Sequence, residues 1–209
     1  VFANRSEAGQ KLAQELLEYK NENPIIMAIP RGGIVVADQV AQFLECPLDI
    51  IITRKIGAPG NPELAMGAVS GPDKVIINED IKYGLRVSDD YIEKEVANQL
   101  EEIKRRRSMY LGQKLPLDLK GKPVIIIDDG LATGYTAIAA IDAIKEEHPS
   151  KIVLAVPVAS SDTCQFISSK VDKIVCLMKP EIFYAVGQFY MDFSQTTDDE
   201  VIEIMRKYH

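Results

Sequence analysis

Hydrophobic and polar positions in this chain alternate between a helical and an extended period. Over residues 6–20, Ala8, Leu12, Leu16 and Tyr19 recur at helical spacing, with Ser6 placed as an N-cap. Pro24 interrupts that pattern, and the apolar run 25–29 predicts a short buried strand. Pro30-Arg-Gly-Gly33 makes a turn, residues 34–44 return as a helix, and 48–53 form the next strand. Farther on, 65–70 and 75–78, joined by Gly71-Pro-Asp73, predict a hairpin laid beside the sheet. Ser88 opens a long helix that carries Ile92, Val96, Leu100 and Ile103 on one face. Residues 115–123 read as a polar linker bearing Pro and Gly. Then come a strand at 124–127, a helix ending at His148-Pro149, a strand at 152–156, a helix at 162–170 and a strand at 173–177.

This order of elements predicts an α/β fold with an open, mostly parallel central sheet, helices on both faces and right-handed crossovers. At 209 residues there is room for one such domain. Its expected parts are a core over about 24–178, an insertion or lid over about 56–115 and a small C-terminal hood over about 179–209. A net charge of −7 argues against a nucleic-acid partner, which calls for a basic face. The odd-numbered, scattered Cys46, Cys164 and Cys176 have no metal-binding spacing and read as reduced core thiols. No apolar run reaches membrane-spanning length and no signal peptide is visible, so a cytoplasmic protein without a membrane partner is expected. The start at Val1 leaves room for a short upstream leader.

The most informative stretch is Val124-Ile-Ile-Ile-Asp-Asp-Gly-Leu-Ala-Thr-Gly-Tyr-Thr136. A β-branched strand runs into two carboxylates, then a Gly/Thr-rich turn, then an Ala/Ile helix. Unpaired amides and the helix dipole at such a turn favour a phosphate. Adjacent acids repel a phosphate but suit sugar hydroxyls or a hydrated divalent cation. Other phosphate motifs fit poorly: Gly134 is followed by Tyr135, not by the Lys of a P-loop, and no Gly-x-Gly-x-x-Gly follows a strand.

This segment resembles the phosphoribosyl pyrophosphate (PRPP) motif of the type I phosphoribosyltransferases, a resemblance that extends over about 25–177. It implies that Asp128 and Asp129 bond the ribose hydroxyls. Gly130, Leu131, Ala132, Thr133, Gly134, Tyr135 and Thr136 would cradle the 5-phosphate, although Tyr135 stands where a small residue is usual. Arg31, Gly32 and Gly33 resemble the family's pyrophosphate loop, and Arg54-Lys55 the cation pair that several members aim at PRPP. Lys55 is counted with the two acids as catalytic. The run Lys104-Arg-Arg-Arg107 reads either as cations complementing a helix C-terminus or as further phosphate ligands. The aromatic stretch 180–193 resembles the hood of the purine-salvage branch, which would set Phe183 against the base and Asp192 at its edge.

Two departures leave the acceptor open. Ala132 stands where the 6-oxopurine enzymes carry an Asp, and Val156-Pro-Val-Ala159 supplies no Lys for a purine carbonyl. The implied activity is transfer of a 5-phosphoribosyl group from PRPP to a nitrogenous base or small acceptor, with release of pyrophosphate. Mg²⁺ is the implied cofactor, held through substrate and water without a protein metal site, and a homodimer is the implied assembly. The alternatives are a PRPP-binding regulator without transfer activity and a hydrolase of phosphoribosyl compounds. His148 and His209 lie at element ends and offer no convincing general base.

Overall fold

A computed structural model describes residues 1–71 and 74–208. Helix α1 (Arg5–Glu15) is capped by Asn4, whose Oδ1 accepts the Glu7 amide at 2.9 Å. The cap therefore falls two residues before Ser6, and the helix ends early in a 3-10 segment, Leu17–Glu22. Strand β1 (Ile25–Ala28), helix α2 (Gly32–Leu44) and strand β2 (Leu48–Ile50) complete the first parallel unit.

The chain then leaves the main sheet. Strands β3 (Arg54–Ala58), β4 (Asn61–Gly71) and β5 (Lys74–Ile77) form a separate three-stranded antiparallel sheet. The strand expected over 48–53 thus ends at Ile50, and a second strand begins at Arg54. Ile56 and Ala58 are buried, and the half-buried Arg54 on their own face hides the alternation with the exposed Lys55. The expected hairpin is the β4–β5 pair; its turn residues Pro72 and Asp73 lie outside the described residues, as does His209. Helix α3 (Glu79–Gly84) was not anticipated. Helix α4 (Asp89–Leu111), capped by Ser88 as expected, lays Ile92, Val96, Leu100 and Ile103 on Ile56, Met66 and Val69.

Strand β6 (Pro123–Ile127), helix α5 (Tyr135–Lys145), strand β7 (Lys151–Val158), helix α6 (Ser161–Ser168) and strand β8 (Lys173–Met178) return to the main sheet. All five of its strands are parallel, in the order β2-β1-β6-β7-β8. Strand β6 lies at its centre and shows why its apolar run is unbroken. Ile125 and Ile127 pack with Leu12, Ile34 and Val40 on one face, while Val124 and Ile126 pack with Ile138, Ile141 and Ile167 on the other. A final helix, α7 (Asp198–Arg206), closes the first face with Val201 and Met205. Lys207 and the Tyr208 hydroxyl, both 2.6 Å from the buried Asp38 carboxylate, fasten the end of that helix to α2.

Cys46 and Cys164 are buried and Cys176 is half-buried. The Cys176 thiol donates to the Met178 carbonyl at 3.2 Å. Among the described residues no helix is long and apolar enough to cross a membrane.

Candidate active site

The ends of β1 and β6 lie side by side, with Ala28 in register with Ile127 and the Ile29 amide donating to the Ile127 carbonyl at 2.9 Å. The segments that leave them therefore meet, as expected at the carboxyl edge of a parallel sheet. From β6 come Asp128 and Asp129. Asp128 Oδ1 accepts the Asp129 amide at 2.8 Å, which curls the acidic pair back over the strand end. From β1 comes the glycine loop, with the Pro30–Arg31 peptide bond cis.

The glycines are needed here for space. A Cβ on Gly32 would stand 2.0 Å from Asp129 Oδ2, and one on Gly33 would stand 2.9 Å from the Ile127 carbonyl oxygen. The loop thus presses directly on the acids. Burial raises the Asp128 carboxyl well above the ordinary carboxylate range, and the neighbouring Asp129 charge raises it further. Asp129 is also raised, chiefly by burial, against an opposing pull from Arg5.

Arg5 carries no signal in the sequence. From the first turn of α1 its Nε bonds Asp129 Oδ2 at 2.8 Å, while its Nη1 donates to the Ser194 carbonyl at 2.7 Å. Its guanidinium lies 3.9 Å from the centre of the Phe193 ring. Tyr190, also missed, donates its hydroxyl to the Asp129 carbonyl at 2.6 Å; burial and the Asp129 charge raise that phenol. The N-terminal residues and the hood are zipped together, since the Met191 and Asp192 amides bond the carbonyls of Phe2 and Ala3. Hood and N-terminus therefore reach the acids as one unit.

Beyond the acids, Gly130 admits the hood: its Cβ would meet Val186 Cγ1 at 2.5 Å. Leu131 is buried and its amide bonds the Val158 carbonyl at 3.0 Å, which pins the turn to β7. The Thr163 hydroxyl holds the Ala132 carbonyl at 2.7 Å. Ala132 and Thr133 are exposed, Gly134 stands at φ 84°, and Tyr135 and Thr136 begin α5. Tyr135 is held on two sides. Its hydroxyl accepts from Asn78 Nδ2 at 2.6 Å and its ring meets Phe166 edge-on, tying the turn to the inserted sheet and to α6.

Capping separates two helices from the rest. Side chains of Asn4, Asn78, Ser88, Ser160 and Thr197 cap α1, α3, α4, α6 and α7. Helix α2, behind Arg31, and helix α5, behind Gly134, have no such cap. These are the two helices that follow β1 and β6, whose ends meet at the acidic pair, and their first-turn amides remain for an external anion.

The other expected residues are distributed differently. Arg31 lies 3.7 Å from Asp198, which also accepts the Tyr110 hydroxyl at 2.5 Å. Arg54 bonds Gln99 at 2.9 Å; burial and the nearby Arg106 charge lower its pKa. Arg105 and Arg106 both bond Glu102, and α4 continues past them to Leu111. As neighbours on β3, Arg54 and Lys55 point to opposite faces, and the exposed Lys55 pairs with Glu63 at 3.3 Å. Phe183 stacks on Phe189 within the hood, with ring centres 5.4 Å apart. Asp192 accepts the Ser194 amide and is exposed. His148 is exposed behind α5. A cavity of about 660 Å³, bounded by Ile51, Lys74, Leu117 and Ile144, shares no residue with this cluster.

Residues 3–194 match the model of the phosphoribosyl transferase domain. Two Mycobacterium tuberculosis proteins, from strains CDC 1551 and H37Rv and provisionally assigned as phosphoribosyl transferases, are each 37% identical over 209 residues. That match covers 100% of this chain and 47% of each relative, so the chain spans about half the length of the curated relatives it matches. The crystal structure of TT1426 from Thermus thermophilus superposes with a TM-score of 0.83 at 38% identity, covering 99% of this chain and 98% of that one. The bifunctional protein PyrR of Clostridium novyi is 28% identical over 149 residues, 70% of this chain and 64% of that protein. Agreement of that reach settles kinship: the chain belongs to the phosphoribosyl transferase domain family.

Proposed function

We propose that this domain transfers a 5-phosphoribosyl group from PRPP to a nitrogenous base or other small nucleophile and releases pyrophosphate. One observation carries the reading: the two α-helices without a capping side chain, α2 and α5, follow the two strands whose ends frame one half-buried acidic pair. Two anion-seeking helix starts around a pair of hydroxyl acceptors match a sugar with a phosphate at each end.

The chemistry follows from charge. As the C1–oxygen bond lengthens, positive charge gathers on the ribose ring and negative charge on the departing pyrophosphate. Asp128 and Asp129 hold the ribose hydroxyls and balance the ring. The α5 amides with Thr133 and Thr136 hold the 5-phosphate, while the start of α2 and Arg31 face the pyrophosphate, with Arg54 as a further cation. Orientation and preset electrostatics supply the rate; no protein nucleophile is needed.

Among the described residues, no group of three or more His, Cys, Asp or Glu side chains is arranged to hold a metal. Mg²⁺ carried by substrate oxygens and water would offset pyrophosphate charge. A homodimer is the assembly that the family resemblance implies.

The test is to incubate the protein with PRPP, Mg²⁺ and a panel of bases and to assay pyrophosphate. Release that requires one base, and that is abolished in Asp128→Asn/Asp129→Asn, is the expected result. Release with no base present, or binding of PRPP with no release under any base, overturns it.

A further inference from the structure

Arg5 lies outside the strand–turn–helix motif, yet it touches the heart of the site. Its side chain is only 11% exposed and that of Asp129 only 14%, so their 2.8 Å contact is shielded from solvent. The guanidinium is fixed from three directions: by Asp129 Oδ2, by the Ser194 carbonyl and by the Phe193 ring. On the fourth side Gly32 leaves just enough room, since a Cβ there would stand 2.7 Å from Arg5 Nε. An arginine held this firmly fixes the rotation of the carboxylate it grips.

Hydrogen bonds among the described residues engage one oxygen of each acid. Asp128 Oδ1 takes the Asp129 amide and Asp129 Oδ2 takes Arg5. Asp128 Oδ2 and Asp129 Oδ1 are left to accept from neighbouring hydroxyls. Without Arg5, repulsion between two adjacent carboxylates would turn Asp129 away from Asp128 and break up that arrangement.

We propose that Arg5 is a positioning residue, which holds Asp129 so that the two acids together grip a vicinal diol. The proposal rests on the phosphoribosyl reading above and adds a source for its sugar selectivity. Diol recognition then depends on the N-terminal helix and the hood, through Arg5, Ser194 and Phe193, as much as on the motif that carries the acids.

The test compares two probes by calorimetry: ribose 5-phosphate, which carries the diol, and inorganic phosphate, which does not. Arg5→Met is expected to weaken ribose 5-phosphate binding about tenfold or more and to leave phosphate binding unchanged. Arg5→Lys keeps the charge but cannot serve both Asp129 and Ser194, and should recover part of the loss. Unchanged ribose 5-phosphate affinity in Arg5→Met overturns the proposal. So does an equal loss for both probes, which would mark Arg5 as a prop for the fold. Should Arg5→Met not fold, Arg5→Lys decides alone, because a loss confined to the sugar supports the role and no loss removes it. Failure of the parent reading looks different: wild-type protein would bind ribose 5-phosphate no better than phosphate, whatever stands at position 5.

Discussion

Gly32→Ala adds a single methyl group at the point where the glycine loop, Arg5 and the acidic pair meet. The new Cβ would stand 2.0 Å from Asp129 Oδ2, 2.8 Å from Asp129 Cγ and 2.7 Å from Arg5 Nε. Ordinary contact begins at 3.4 Å, so the carboxylate oxygen must retreat by about 1.4 Å. A free side chain would do so at little cost. This one is bonded through that same oxygen to Arg5, so the ion pair has to open. Parting a fully buried pair costs about 3–5 kcal/mol. Residual exposure at this pair lowers that to about 2–3 kcal/mol, and the helix preference for Ala over Gly returns up to about 1 kcal/mol. The net loss of about 1–3 kcal/mol should lower Tm by several degrees in scanning calorimetry. Function should suffer far more, because a 1 Å misplacement of a positioned group costs about 100-fold. Pyrophosphate release measured against PRPP concentration should therefore show kcat/KM down about 100-fold in a protein that is still folded. A Gly32→Ala variant with wild-type kcat/KM would refute the claim that this loop presses on a working carboxylate.

Asp128→Asn should abolish turnover yet stabilise the fold at high pH. Both acids have folded pKa values raised by burial, so the stability they contribute is complete at low pH and is lost as pH rises through those values. Urea unfolding at pH 5 and pH 8 should show the variant gaining on wild type as pH rises, by about 1 kcal/mol at pH 8; a gain that shrinks with pH contradicts the assignment. Gly134→Ala forces a side chain into φ 84° and against Ile167 Cδ1 at 2.8 Å. It should cost about 1–2 kcal/mol and weaken inorganic phosphate binding by calorimetry, and intact phosphate affinity would count against the turn as the phosphate site. Tyr190→Phe removes the 2.6 Å hydrogen bond to the Asp129 carbonyl, and should lower stability in chemical denaturation by about 1–1.5 kcal/mol; no change would mean that water replaces the hydroxyl there.

Much of the scaffold was readable because burial imposes a period. The run at 124–127 is apolar at every position since β6 is covered on both faces, and α4 carries an apolar stripe because one face rests on the inserted sheet. The strand at 54–58 was harder to read. It opens with two adjacent cations, one on each face, whose neighbourhood resembled a phosphate-binding loop, and only pairing with β4 reveals the extended backbone. Helix α3 is six residues long, too short for a period to emerge.

What the sequence determined by itself was local. Glycines, threonines and two acids within thirteen residues specify a strand, a turn and an uncapped helix start, because each requirement acts on neighbours along the chain. What only the tertiary structure decided was which distant groups close around that turn. Arg5 lies 124 residues from Asp129, and Tyr190 lies 61 residues from it. Arg5 belongs to no pattern that could flag it, and nothing along the chain sets Tyr190 apart from the other aromatics of 180–193. They meet Asp129 because parallel β1 and β6 bring their carboxyl ends together and the hood zips onto the N-terminus, so the charge and direction of the acids are set by contacts with no counterpart in local sequence.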